Sequence, residues 1–176
     1  MSLKSGVSLI PSLLDRDQPV LSRDVVEQRI GSKLPDIYVD LLAPEHHAVM
    51  FKEGVRIHPI ASNPLSAQSG FQSVLTLFGF SEGDHGIVAN YQRLQGRLES
   101  QFIPIAEDGL GNLFMFDCTT LNVVFWHHEC IAGENSEQAF SLVSEDVASF
   151  IAGLEVSPED KVTDTSSVVK RATFNF

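Results

Sequence analysis

The sequence predicts an α+β domain, a mixed or antiparallel sheet of about six strands packed with about four helices, and three observations carry that expectation. Two successive segments, Leu113 to Asp117 and Val123 to His128, are apolar on both faces: Leu113 and Met115 against Phe114 and Phe116, then Val123 and Phe125 against Val124 and Trp126. Such strands belong in the middle of a covered sheet, so helices pack on at least one face. Val147, Phe150, Ile151 and Leu154 recur at i, i+3, i+4 and i+7, the strongest helical stripe in the chain. Finally, 176 residues with 43% hydrophobic side chains and 12 phenylalanines suit one globular domain with short extensions. A chain of this length buries roughly 70% of its unfolded surface and needs no disulfide or metal to hold a core.

The elements follow in order. Residues 1–21 read as an N-terminal arm of scattered Ser, Pro and Gly with a short apolar piece from Leu9 to Leu14. Ser22 is a helix cap, Asp24 suits the first-turn dipole, and Val26 and Ile30 share a face before Gly31 ends the helix. Pro35 opens a second helix with Ile37, Tyr38, Leu41 and Leu42 as its stripe, and Pro44 follows its end. Alternation from Val55 to Ile60 predicts a strand, with Arg56 and His58 opposite Val55 and Ile57. Ser62 to Gln72 is a loop, Val74 to Phe80 a strand, and Ser81 to Gly86 an acidic turn. Ile87, Val88, Tyr91, Leu94 and Leu98 fall at helical spacing, weakened at Gly96. Phe102 to Ala106 is a strand, joined to Leu113 by the tight connection Glu107 to Asn112. Ser144 is the expected cap of the last clear helix, with Glu145 and Asp146 in its first turn. The domain therefore spans 22–154, and 155–176 is an extension in which Val168 to Phe176 has the pattern of an edge strand.

Charge narrows the function. With 23 acidic and 12 basic side chains the formal charge is −11, so the basic footprint that displaces counterions from nucleic acid is missing. Anionic membrane surfaces are disfavoured for the same reason. A basic protein partner is the positive implication, because an acidic face speeds encounter with it, although the same charge also serves solubility. Cys118 and Cys130 have no metal-ligand spacing and read as buried thiols of a reducing compartment. The N-terminal apolar stretch is broken by Pro11 and followed by Asp15, Arg16 and Asp17, so neither a signal peptide nor a membrane span is expected, and the location expected is cytoplasmic.

Catalytic spacings are not found. His127 and His128 are adjacent on a strand, point to opposite faces and lack the HExxH pattern, so no metal or other cofactor is expected. Asp108-Gly109-Leu110-Gly111-Asn112 lacks the Lys-Ser/Thr of a phosphate loop and leads into a strand, so its glycines serve a hairpin connection. No GxSxG is present, and no catalytic residue is assigned. The chain is expected not to be an enzyme.

From Ile30 to Glu129 the residues form a pattern. Ile30, Gly31, Leu34, Pro35, Tyr38, Leu41 and Leu42 open it; Phe102 through Asp117 gives the run FIPIAEDGLGNLFMFD; Val123 through Glu129 gives VVFWHHE. With the closing helix at Phe150, Ile151 and Leu154, this resembles the SUKH superfamily, which includes fungal cell-wall-synthesis regulators and many bacterial immunity proteins. The resemblance spans roughly Ser22 to Leu154; the departures are Ala43 to His47, where the family often has an Asn-Gly-Gly-like turn, the Ser62 to Gln72 loop and the tail. It implies an α+β domain acting through protein–protein contact: an immunity protein that neutralises a basic, nuclease-type toxin, or else a regulatory interaction module of the cell-wall type. Partner contacts are expected from acids on the connecting loops, Glu82, Asp84, Glu107, Asp108, Glu129 and Glu134, since loops at sheet ends present side chains. Pro35, Gly109, Gly111, Asn112 and Trp126 are expected to be structural. Nothing in the sequence argues for a homodimer.

Overall fold

Short, well-signalled helices and strands with two apolar faces assemble as patterned in a computed structural model describing residues 3–15, 17–42 and 45–158. Helix α1 runs Arg23–Ile30; the Ser22 side chain accepts a hydrogen bond from the Val25 N–H, and Gly31 closes the helix in the left-handed region at φ 70°. Helix α2, Asp36–Leu41, starts one residue after Pro35, which takes the cap position. Helix α3 is Ile87–Leu94, stopping before Gly96, and α4 is Val147–Gly153. The cap of α4 is Asp146, whose carboxylate accepts the Ser149 N–H at 2.6 Å. Ser144, the expected cap, instead ends a strand.

The sheet has eight strands rather than about six. They are β1 Leu9–Pro11, β2 Val49–Ile57, β3 Gln72–Leu77, β4 Phe102–Glu107, β5 Leu113–Asp117, β6 Val123–Trp126, β7 Phe140–Ser144 and β8 Glu155–Val156. The order is β1-β2-β3-β4-β5-β6-β7, with β8 also on β2, and every ladder among them is antiparallel. β2 begins six residues before the expected Val55, and its register on β3 shifts between Met50 and Val55. β1 and β8 share its far edge, one opposite residues 49–51 and the other opposite 55–56. The expected strand from Val168 to Phe176 and the expected helix stop at Pro44 lie outside the described residues.

Both faces of the central strands are covered. All five residues of β5 are buried, as are Val123, Phe125 and Trp126 of β6. Phe150 of α4 packs 5.4 Å from Phe114, which meets Phe125 at 5.2 Å. Tyr38 is fully buried, its hydroxyl 2.6 Å from both the Phe78 and Ile105 carbonyl oxygens, so one side chain of α2 ties together the segment after β3 and the middle of β4. Burial pushes that phenol well above its ordinary pKa, so it serves as a neutral donor.

The ends of the sheet are closed in two ways. Beyond β2, the Ile60 and Ala61 N–H groups donate to the Val143 and Leu142 carbonyls of β7, so the chain covers the outer side of the last strand. On β1, Ser8 accepts from Lys52 and Ser12 donates to Ala48, which turns the main-chain groups of Ile10 toward β2 and those of Leu9 and Pro11 outward. Pro11 has no N–H to offer there. No helix among the described residues is long and apolar enough to cross a membrane.

Candidate partner-binding surface

The turn between β4 and β5 is organised by Asp108, which is buried. Its Oδ1 accepts the Leu110 N–H at 2.8 Å and the Asn112 N–H at 3.3 Å; its Oδ2 accepts from Asn112 Nδ2 at 2.8 Å and Gln72 Nε2 at 3.4 Å. An Asp that folds back on its own turn in this way fixes the loop rather than reaching outward. Because Asn112 Nδ2 donates to Asp108, its Oδ1 faces His128, accepting the His128 N–H at 3.3 Å and lying 2.9 Å from Nδ1. With the Asn112 Oδ1 as acceptor, Nδ1 is the donor of this pair, and Nε2 faces Glu129 at 3.8 Å. Asp108, Asn112 and His128 thus link the turn to the segment that follows β6.

Two glycines make the geometry attainable. Gly109 (φ 81°) and Gly111 (φ 89°) occupy the left-handed side of backbone space. A Cβ at Gly109 would lie 2.7 Å from Leu75 Cδ2, and one at Gly111 would lie 3.1 Å from His128 Cε1. The turn carries Leu110 outward at 71% exposure, and beyond Glu129 the Ile131 side chain is fully exposed.

The six loop acids fall into different situations. Glu107, at the end of β4, is half-buried, its Oε1 3.5 Å from His85 Nε2 on the turn that bears Glu82 and Asp84. Glu82 pairs with Arg29 at 3.3 Å, and Asp84 is exposed. Glu129 is exposed beside His128. Glu134 holds Arg97 at 2.5 Å, and this hydrogen bond keeps its carboxyl below the usual range. The Glu134 carbonyl accepts the Trp126 indole N–H at 2.8 Å, while Arg97 lies over the Trp126 ring. His85 therefore joins Glu107 to the turn of Glu82 and Asp84, and Asn112 with His128 joins Asp108 to Glu129; Glu134 belongs to a separate Arg97–Trp126 clasp. Cys118 and Cys130 are half-buried rather than in the core.

Sequence reasoning did not single out the N-terminal segment as part of any surface. Ser12 is fully buried with its Oγ 3.0 Å from His85 Nδ1, and Asp15 is buried with its carboxylate on the Ser81 hydroxyl. Pro19 accepts the Glu82 N–H and Leu21 donates to Phe80. Residues 9–15 and 17–21 are therefore strapped across the acidic turn, with Leu13 and Leu14 pointing outward at 75% and 74% exposure. The signal was present only as two small polar residues flanking a leucine pair, which means nothing until their partners at Ser81 and His85 are in place.

A comparison with curated proteins found no match. A family model does match: the SMI1 / KNR4 family (SUKH-1), over residues 24–153. That range takes in α1 from its second residue, α2 to α4 and the sheet from β2 to β7, along with the Asp108 turn and the acids around it. The match covers well over half of the 176 residues, and with the fold above it means that this chain belongs to the SMI1 / KNR4 family (SUKH-1).

Proposed function

We propose that this protein is a non-enzymatic binding protein of the immunity type, acting in the cytoplasm by covering a basic, nuclease-type toxin. Membership of the family supports a protein-contact role. The observation that carries the finer reading is the distribution of charge. Lys4, Arg23, Arg29, Lys33, Arg56 and Arg97 each pair with a carboxylate of the same chain. Asp84 and Glu129 stay exposed, on the two loops that His85 and His128 tie to the β4–β5 turn. Lys52 and Arg93 are exposed and in no salt bridge among the described residues, but with 23 acids against 12 bases the balance remains acidic, and a surface that presents unpaired acids attracts a basic partner and hastens its encounter.

Charge reversal tests this. Asp108 is unsuitable because reversing a buried turn brace would unfold the loop, so the informative substitutions are Asp84→Lys and Glu129→Lys. The wild-type chain should recover from lysate of its source cell a basic protein that is released as salt rises and is toxic when expressed alone. The double variant, folded by circular dichroism, should recover it at least about tenfold less well. Recovery of acidic or housekeeping proteins only, with no toxic partner, would replace the immunity reading with that of a regulatory interaction module.

A further inference from the structure

The strap formed by residues 9–15 has its polarity inside out. Ser12 and Asp15, at 0% and 1% exposure, are its buried anchors, and Ile10, Leu13 and Leu14 are turned to solvent. An ordered surface segment usually hides its leucines and exposes its hydroxyls and carboxylates, and adjacent outward apolar side chains mark contact sites. The arrangement is built in rather than incidental. A Cβ at Gly83 would strike the Asp15 carboxylate and lie 2.9 Å from Gln18 Cγ, so a larger residue on the acidic turn would have to displace the Asp15 anchor. Ser12 is held by His85, which also faces Glu107. Beside the leucines, Ile10, Pro11 and Leu13 line a groove of about 430 Å³ with His47 at its wall and Glu45 at its rim. The family-matched region begins at residue 24, so the strap lies outside it.

We propose that the outer face of this strap is a docking surface for a protein partner that presents an apolar side chain beside a cationic one. The apolar group enters the groove between Ile10, Leu13 and His47, and the cation answers Glu45, whose side chain is 83% exposed. A second copy of the chain is the poorer occupant, because each copy carries a formal charge of −11 and two such surfaces repel. Strand addition is also disfavoured here, since Pro11 removes the outward N–H of β1. The inference rests on the binding role proposed above and assigns it a second, partner-selecting surface.

The test is an NMR titration of the isotope-labelled full chain with a short peptide of alternating leucine and lysine, and with its leucine–glutamate counterpart. Shifts concentrated at Ile10, Leu13, Leu14 and His47 with the basic peptide alone are expected. The Leu13→Ser/Leu14→Ser variant, with its amide spectrum otherwise unchanged, should bind about tenfold more weakly or worse. Shifts confined to residues 107–112 and 127–131 would overturn the strap surface while leaving the acidic binding role standing. Equal binding of both peptides, or of neither, would overturn the inference. So would a wild-type dimer in sedimentation velocity that the variant abolishes, because the second copy would then be the occupant.

Discussion

Glu27 is a carboxylate on an interior-facing helical position, 5% exposed, and it survives there because its neighbours supply three donors. Arg23 Nε lies 2.8 Å from Oε1, the Leu34 N–H 3.1 Å from the same oxygen, and Lys33 Nζ 2.5 Å from Oε2. Burial alone would push the carboxyl up; the Lys33, Arg23 and Leu34 hydrogen bonds outweigh it and bring the pKa down to about 2. A carboxyl that is more acidic folded than unfolded stabilises the fold above its ordinary value of 4.5, and that stabilisation fades as pH falls toward 2. The pH-dependent contribution is on the order of 3 kcal/mol. Denaturant unfolding at stepped pH should show Glu27→Gln destabilised at neutral pH and flatter than wild type between pH 4.5 and 2. Parallel slopes would mean that the charge of Glu27 is not what Arg23 and Lys33 hold. None of this was legible in the sequence, where a Glu between Val26 and Ile30 reads as an ordinary surface residue; its burial comes from Leu34 and Lys33 folding back over α1. Asp108 teaches the same lesson in reverse, since an acid beside glycines looks displayed until its bonds to Leu110 and Asn112 are seen.

Elements were legible in proportion to how much local chemistry specified them. The Ser22 cap and Gly31 stop delimit α1, the i, i+3, i+4, i+7 stripe becomes α4, and the two-sided apolar runs become β5 and β6. The strands that went unread, β1, β7 and β8, are peripheral, and β1 and β8 have only three and two residues, so their partners rather than their patterns define them. In β7 the misreading has a specific cause: Ser144 and Asp146 are both good capping residues, and the one adjacent to Val147 prevails while Ser144 pairs with Val123. The β4–β5 turn is the element with the least tolerance. Gly111→Ala places a side chain at φ 89° and against His128, and is expected to cost about 1–3 kcal/mol. Thermal unfolding would show the loss, and the His128 ring resonances should shift with it. An alanine variant as stable as wild type would show that the turn relaxes into another conformation at no cost.

As a whole, the molecule is a sheet whose margins, among the described residues, are partly occupied by its own chain. Ile60 and Ala61 cover part of β7, β1 and β8 divide the far edge of β2, and Pro11 leaves the outer side of β1 short of a donor. Restoring the donor tests the design. Pro11→Val should leave the fold intact yet produce concentration-dependent association in sedimentation velocity, clearest at high salt, where repulsion between chains of charge −11 is screened. A strictly monomeric variant under those conditions would show that the edge is guarded by something other than the proline. The partly self-occupied sheet also bears on how such a protein changes over generations. Main-chain ladders accept almost any sequence, so a binder that recruits partners through an open edge has little to edit. Here the surfaces on offer are side chains such as Asp84, Glu129, Leu13 and Leu14, standing on scaffolding that does not depend on them. Under the binding role proposed above, single substitutions at those positions would change what is recognised without reopening the question of whether the chain folds, so that specificity could shift one codon at a time.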